Sequence, residues 1–266
     1  MSSTAQPPVA RTEARWQERA GRHVCRAPLW SGSGAPMHAF LGRPLGAAAG
    51  SVPPAGSTRE LELLRLASGG RPVAGLQQVH GTAIHRVRGE QGILRVPGDG
   101  LSTNNPERVL GVQSADCLPV LIADRARGSV AALHAGWRGT AAGIALRALE
   151  HLSAEYGSNP GDLEVVLGPA VGACCYEIGP EVREAFEAGP LADFAAFRPS
   201  RHRRWKMDLA EITARALAAA GVRLEQVLVV SACTLCSGNR LHSYRAEGDQ
   251  VGRNWSLVAP PIRPRV

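Results

Sequence analysis

Lysine is nearly absent: Lys206 is the only one among 30 basic residues, the rest being arginine. With no GxxxxGK[ST] run there is no P-loop. A Schiff-base mechanism would need Lys206 in an apolar pocket, whereas it closes the basic run Arg198 to Lys206. Aromatic residues are scarce as well, at 5%. Without zinc-finger spacing or an aromatic-interleaved strand, the net charge of +7 and the pI near 9.6 read as a solvated basic face, not as specific nucleic-acid recognition. Long apolar runs are also missing. The longest, Val165 to Tyr176 and Leu228 to Leu235, fall short of a membrane span, and the N-terminus has no apolar signal core, so a cytosolic, non-membrane chain is expected. HExxH, GxSxG and the zinc-deaminase signature are absent, which excludes those enzyme classes.

What is present is 266 residues, 44% hydrophobic and 20% charged, enough for one large domain or two small ones. Residues 1–24 lack a sustained apolar period and are expected to form a flexible N-terminal extension ahead of a single domain over 25–266. Ala47 to Ser57 reads as a loop, and Arg59 to Leu66 carries a short helical pattern. Val109 to Val112, Leu118 to Ala123 and Val130 to Leu133 read as strands, the last two joined as a hairpin through Asp124 to Gly128. Helical spacing follows at Ile144, Ala148, Leu149, Leu152 and Tyr156, with Thr140 the expected cap. A strand at Leu163 to Leu167, a helix opened by Pro180, a helix capped by Asp208 and Glu211, and a strand at Val227 to Val230 complete the pattern. Because the hairpin interrupts a purely parallel order, the class is mixed α/β (α+β), with strands in more than one layer.

Three segments place a polar or thiol side chain beside small residues at a strand end: Gln78 to Gly81, Ser114 to Cys117 and His134 to Gly139. His80, Cys117 and His134 are all good zinc ligands, and three protein ligands leave a position open for catalysis. Spacing alone fits core residues equally well. Arg138, between Gly136 and Gly139 at a helix entry, adds a candidate anion site four residues from His134. Asp116 reads as a proton-transfer group, a residue orienting a ligand, or a turn cap. Six cysteines in such a chain are expected to be reduced thiols or metal ligands. Cys174 and Cys175 read as buried small residues, one of them a pocket candidate. Cys233 to Cys236 is a lone CxxC, only half a structural zinc site without a second pair, and reads as mainly structural.

QVHG ending at Gly81, DGLST at 99–103, SADCLPVLIAD at 114–124, AALHAGWRGT at 131–140, LGPAVGACCYEIGPEV at 167–182, CT at 233–234, SYR at 243–245 and GR at 252–253 together resemble the laccase-domain (YfiH-type) family, described as polyphenol oxidases and as purine nucleoside phosphorylases. The resemblance spans roughly residues 29–258. It implies a four-layer α-β-β-α sandwich with mixed sheets and a zinc site at His80, Cys117 and His134. It also implies phosphate-dependent cleavage of adenosine, inosine and methylthioadenosine, with adenosine deamination. Arginines would hold the phosphate. Arg43, Arg138 and Cys175 are the expected substrate and phosphate contacts, and Arg138, Asp116 and Arg245 the expected catalytic groups. The chain departs from the family pattern at His38 to Arg43, Thr58-Arg59 and Ser243 to Ala246. Purine nucleosides and phosphate are the implied partners, and the oligomeric state is left as monomer or dimer. Copper-dependent phenol oxidation is the alternative, although eight histidines are few for a multicopper enzyme. A Cys117/His134 thiol hydrolase and a non-catalytic zinc-binding protein complete the alternatives.

Overall fold

The computed structural model describes residues 7–19, 21–32, 34–45, 64–89 and 93–262. The expected loop at 47–57, most of the helical pattern starting at Arg59, and the Thr58-Arg59 departure lie outside them. Residues 64–67 are helical.

Two seven-stranded mixed sheets form the centre. In spatial order the first contains Ala10–Glu13, Val227–Ser231, Glu164–Leu167, Leu118–Asp124, Ser129–Ala135, Gly100–Thr103 and Ile84–Arg86. The three pairs from Glu164–Leu167 to Gly100–Thr103 are antiparallel, and the remaining pairs, two toward Ala10–Glu13 and one at Ile84–Arg86, are parallel. The expected hairpin is present, with Leu118–Asp124 registered against Ser129–Ala135. The second sheet contains Trp16–Arg19, Arg22–Cys25, Met37–Pro44, Asn254–Ala259, Val109–Ser114, Val73–Gln77 and Ile93–Pro97. A small antiparallel sheet joins Glu177–Ile178, Trp205–Met207 and Phe197–Pro199.

Helices α1 (Trp137–Ala141), α2 (Ile144–Tyr156), α3 (Pro180–Glu187) and α4 (Leu209–Ala219) cover the outer face of the first sheet. The period-two alternation of the central strands explains the layering. Leu118, Val120 and Ile122 face the helices and pack with Ile144, Leu152, Phe186 and Ile212. Leu121 and Ala123 face the other way, into a core shared with Phe40, Leu110, Val112 and Val258 of the second sheet. On the far side of that sheet Leu41, Val109 and Leu257 pack with Leu64 of the helical residues 64–67, giving the four layers. No described helix is long and apolar enough to cross a membrane.

The N-terminal segment differs from the sequence expectation. Ala10–Glu13 adds in parallel to Val227–Ser231, and Trp16–Arg19 pairs with Arg22–Cys25. Arg11 also reaches both Asp208 and Glu211 at 2.9 Å. These edge strands expose most side chains of residues 10–19, so they are held through backbone pairing and leave no apolar period to read. Thr140 does not cap α2: it lies within α1, and Gly143, at φ 80°, starts α2 with no side-chain cap. Asp208 caps α4 as expected, its carboxylate accepting the Glu211 N–H at 3.1 Å.

Candidate active site

The site lies where the chain passes between the sheets. Val73–Gln77 of the second sheet leads into His80, the step from Ser114 to Leu118 carries Asp116 and Cys117 across to the first sheet, and His134 lies near the end of Ser129–Ala135. Gln78 fixes the start of the first loop as a strand would, its side-chain amide exchanging two 2.7 Å hydrogen bonds with the Gln113 backbone.

Asp99 organises the centre. Its carboxylate is fully buried and accepts the N–H groups of Val79 (3.2 Å), His80 (2.9 Å) and Gly81 (2.6 Å). This cradle holds His80 at φ 61°, a left-handed conformation that costs a non-glycine residue about 1 kcal/mol or more. The same carboxylate accepts a hydrogen bond from His134 Nδ1 at 2.8 Å. With Nδ1 donating to Asp99, the Nε2 atom of His134 is the one left to serve as a metal ligand once it has given up its proton. Burial alone would raise the Asp99 carboxyl, but the His134 and backbone N–H bonds outweigh it and hold the group below its usual value. Burial likewise opposes charge on Cys117 and His134. Hydrogen bonds from His134 and His80 nevertheless bring the Cys117 thiol down to about 6, and the bonds to Asp99 and Cys117 bring His134 up to about 9.

The donor atoms of His80, Cys117 and His134 lie within 4.8 Å of one another, and the His80 and His134 rings stand edge to face at 4.8 Å. Glycines permit this approach. A Cβ on Gly136 would fall 2.7 Å from the His80 ring and 3.1 Å from the Cys117 sulfur, and one on Gly139 would fall 2.8 Å from the Gly81 carbonyl. Two imidazoles, one easily ionised thiol and a buried carboxylate behind one imidazole fit a divalent metal. No fourth side chain joins this donor set among the described residues. The side facing the cleft is therefore left for water or substrate, as in catalytic zinc sites.

The trio opens into a cleft of about 930 Å³ that also contains Arg138, Arg245 and Arg253. The Arg138 guanidinium lies 4.1 Å from the Trp137 ring centre, and that of Arg245 lies 4.7 Å from that of Tyr176. Stacking of this kind fixes the planar forks without using their N–H groups. Neither arginine pairs with a carboxylate among the described residues.

Asp116 is at the cleft but is engaged in holding it together. It adopts φ 86°, accepts the Thr234 hydroxyl at 2.5 Å and the Arg245 N–H at 2.8 Å, and its own carbonyl accepts the Val171 N–H. Both carboxylate oxygens of Asp116 are thus hydrogen-bonded within the protein. Two expected substrate contacts lie elsewhere. Arg43 is buried against Glu247 and the Leu241 carbonyl, so it anchors the segment bearing Arg245 and does not line the cleft. Cys175 belongs to a separate thiol cluster with Cys174, Cys233 and Cys236. Cys174 is exposed and Cys175 half-buried, contrary to the reading as buried small residues. Asp99 and Arg253 also belong to the site, and the sequence does not mark either as a site residue. The only signals available were their places in DGLST and GR.

The sequence profile of the family described as multi-copper polyphenol oxidoreductase laccase matches residues 55–260. The chain belongs to this family. Within the laccase-type family, it is 34% identical over 246 residues to the purine nucleoside phosphorylase YfiH of Escherichia coli, covering 92% of this chain and 96% of the relative. A purine nucleoside phosphorylase of Pseudomonas aeruginosa is 38% identical over 185 residues, covering 69% of this chain and 72% of the relative. Among solved structures, YlmD from Geobacillus stearothermophilus superposes with a TM-score of 0.75 at 26% identity, covering 96% of this chain and all of that one.

Proposed function

We propose that this laccase-type protein is a cytoplasmic, zinc-dependent purine nucleoside phosphorylase acting on adenosine, inosine and methylthioadenosine, with adenosine deamination as a second activity. The observation that carries the proposal is the pair Arg138 and Arg245, free of carboxylate partners among the described residues and opening onto the same cleft as His80, Cys117 and His134. The names of the relatives point the same way.

In the reaction a phosphate oxygen forms a bond to C1′ of the nucleoside while the C1′–N bond to the purine breaks. The products are ribose 1-phosphate, or its methylthio analogue, and free base. Arg138 and Arg245 bind the phosphate, each guanidinium offering a fork of donors, and Arg253 adds positive charge to the same cleft. Holding the nucleophile in place lowers the entropic part of the barrier as the sugar approaches an oxocarbenium-like state. Asp116 positions Arg245 through its N–H, and Asp99 fixes His80 and His134. His80, Cys117 and His134 would hold zinc, which supplies Lewis acidity toward a purine nitrogen and an acidified water for deamination.

A second reading has a specific observation behind it: Cys117, His134 and Asp99 form a thiol, imidazole and carboxylate relay, the arrangement of a thiol hydrolase. Release of free purine from adenosine and inosine, measured on metal-analysed protein with and without phosphate, separates the two. Release that needs both phosphate and zinc and is lost in His80→Ala supports the phosphorylase. Activity that survives chelation but not alkylation of Cys117 supports the hydrolase. Phenol oxidation tracking bound copper would replace both.

A further inference from the structure

Behind the cleft the fold joins two cysteine pairs that lie far apart in the sequence. The sulfurs of Cys174, Cys175, Cys233 and Cys236 all lie within 4.8 Å of one another, and those of Cys174 and Cys236 are 3.7 Å apart. All four are free thiols. Four thiolates at a Zn–S distance of about 2.3 Å occupy the corners of a tetrahedron with edges of about 3.8 Å, close to the separation seen between Cys174 and Cys236. A disulfide would need sulfurs about 2 Å apart.

The surrounding backbone is arranged for thiolates. The Cys233 sulfur accepts the Gly172 N–H at 3.3 Å. Such a donor offsets the charge that accumulates on a metal-bound sulfur. The single lysine is also here, with Lys206 Nζ donating to the Cys174 carbonyl at 2.7 Å. It places a positive charge beside what would formally be a dianionic centre.

We propose that Cys174, Cys175, Cys233 and Cys236 hold a second zinc ion as a closed, structural tetrathiolate. The lone CxxC of the sequence thus acquires its missing partner from Cys174-Cys175. Tetrahedral all-sulfur coordination suits zinc, and with every position taken by protein the site has no vacancy for substrate.

Its position explains its use. The Thr234 N–H donates to the Ala170 carbonyl at 3.0 Å, and Ala170 and Cys233 form a parallel bridge, so the two cysteine-bearing loops are already in register. One loop supplies Val171 and Tyr176 to the cleft. The other supplies Thr234, which holds Asp116 next to Cys117. A metal between the loops clamps the back wall of the cleft without touching the ligands in front.

The test is zinc stoichiometry on the full chain, by elemental analysis of wild type, the double variant Cys174→Ser/Cys236→Ser, and His80→Ala. The proposal expects about two zinc ions per wild-type chain and about one in each variant, with the two losses independent. Cobalt exchange gives a readout that does not depend on the variants folding. The wild-type protein should show the intense thiolate-to-cobalt charge transfer of a four-sulfur site, well above that of a site with one thiolate. These four cysteines should also resist alkylation until a chelator is added. A wild-type chain with a single zinc that is lost with His80, a disulfide within the cluster, or iron in place of zinc would each overturn the proposal.

Discussion

Replacing Asp99 by Asn tests the organisation of the site with almost no change in volume. Oδ1 accepts from the His80 N–H and from His134 Nδ1, and Oδ2 accepts from the Val79 and Gly81 N–H groups. An asparagine keeps one acceptor oxygen and turns an amide NH2 toward two donors whichever way it lies. Two charge-assisted hydrogen bonds are then lost in a fully buried position, at about 1.5 to 3 kcal/mol each, or about 3 to 6 kcal/mol in all. If the NH2 faces His134, the imidazole must move its proton to Nε2 to regain a bond, and the ligand lone pair is lost. Metal affinity should fall by about 10- to 100-fold, as is usual when the partner of a ligand is removed. Competition with a chromophoric chelator measures the affinity, and urea unfolding with and without metal measures the stability. Zinc affinity within twofold of wild type would refute the reasoning, because it would mean that the cradle neither fixes His80 nor selects the His134 tautomer.

Other perturbations have definite outcomes. Gly136→Ala places a methyl against the His80 ring and the Cys117 sulfur; it should cost about 1 to 3 kcal/mol and weaken metal binding, while its backbone, at φ −67°, accepts alanine without strain. Measuring zinc content and melting temperature together checks both effects. Thr234→Val removes the donor to Asp116 and should lower kcat/KM for purine release by about tenfold with zinc content unchanged, since a buried bond to a carboxylate contributes about 1.5 kcal/mol. His38 is buried, with Nε2 accepting the Ala27 N–H at 2.8 Å; burial chiefly, with the Arg26 charge, holds it down at about 4. The unfolded chain therefore binds the extra proton between about pH 6.5 and 4, and stability falls as pH is lowered through that window by about 3 kcal/mol from this group. Urea midpoints against pH should show a shallower acid limb in His38→Gln.

The central elements were legible because both faces of the first sheet are covered, which makes strands such as Leu118–Asp124 continuous apolar runs. The metal trio was legible as residue types beside small residues, and its three donors do converge. Three features were hidden for different physical reasons. The strands within residues 10–19 are held by backbone pairing and leave little side-chain signal. Asp99 acts through buried hydrogen bonds, and an aspartate before glycine reads first as a turn. The partner of Cys233 to Cys236 lies nearly sixty residues upstream, and only the tertiary fold brings it close. Arg43 is the converse case: an arginine in the expected segment is paired with Glu247 in this structure.

The most direct test of the proposed function follows the phosphorus atom. Incubation of the zinc-loaded protein with inosine and inorganic phosphate, monitored by 31P NMR, should show a sugar 1-phosphate ester growing in step with free hypoxanthine, and both should vanish in Arg138→Met. Free ribose appearing with hypoxanthine while the phosphate signal stays unchanged would show hydrolysis, and would contradict the assignment of Arg138 and Arg245 to the attacking phosphate.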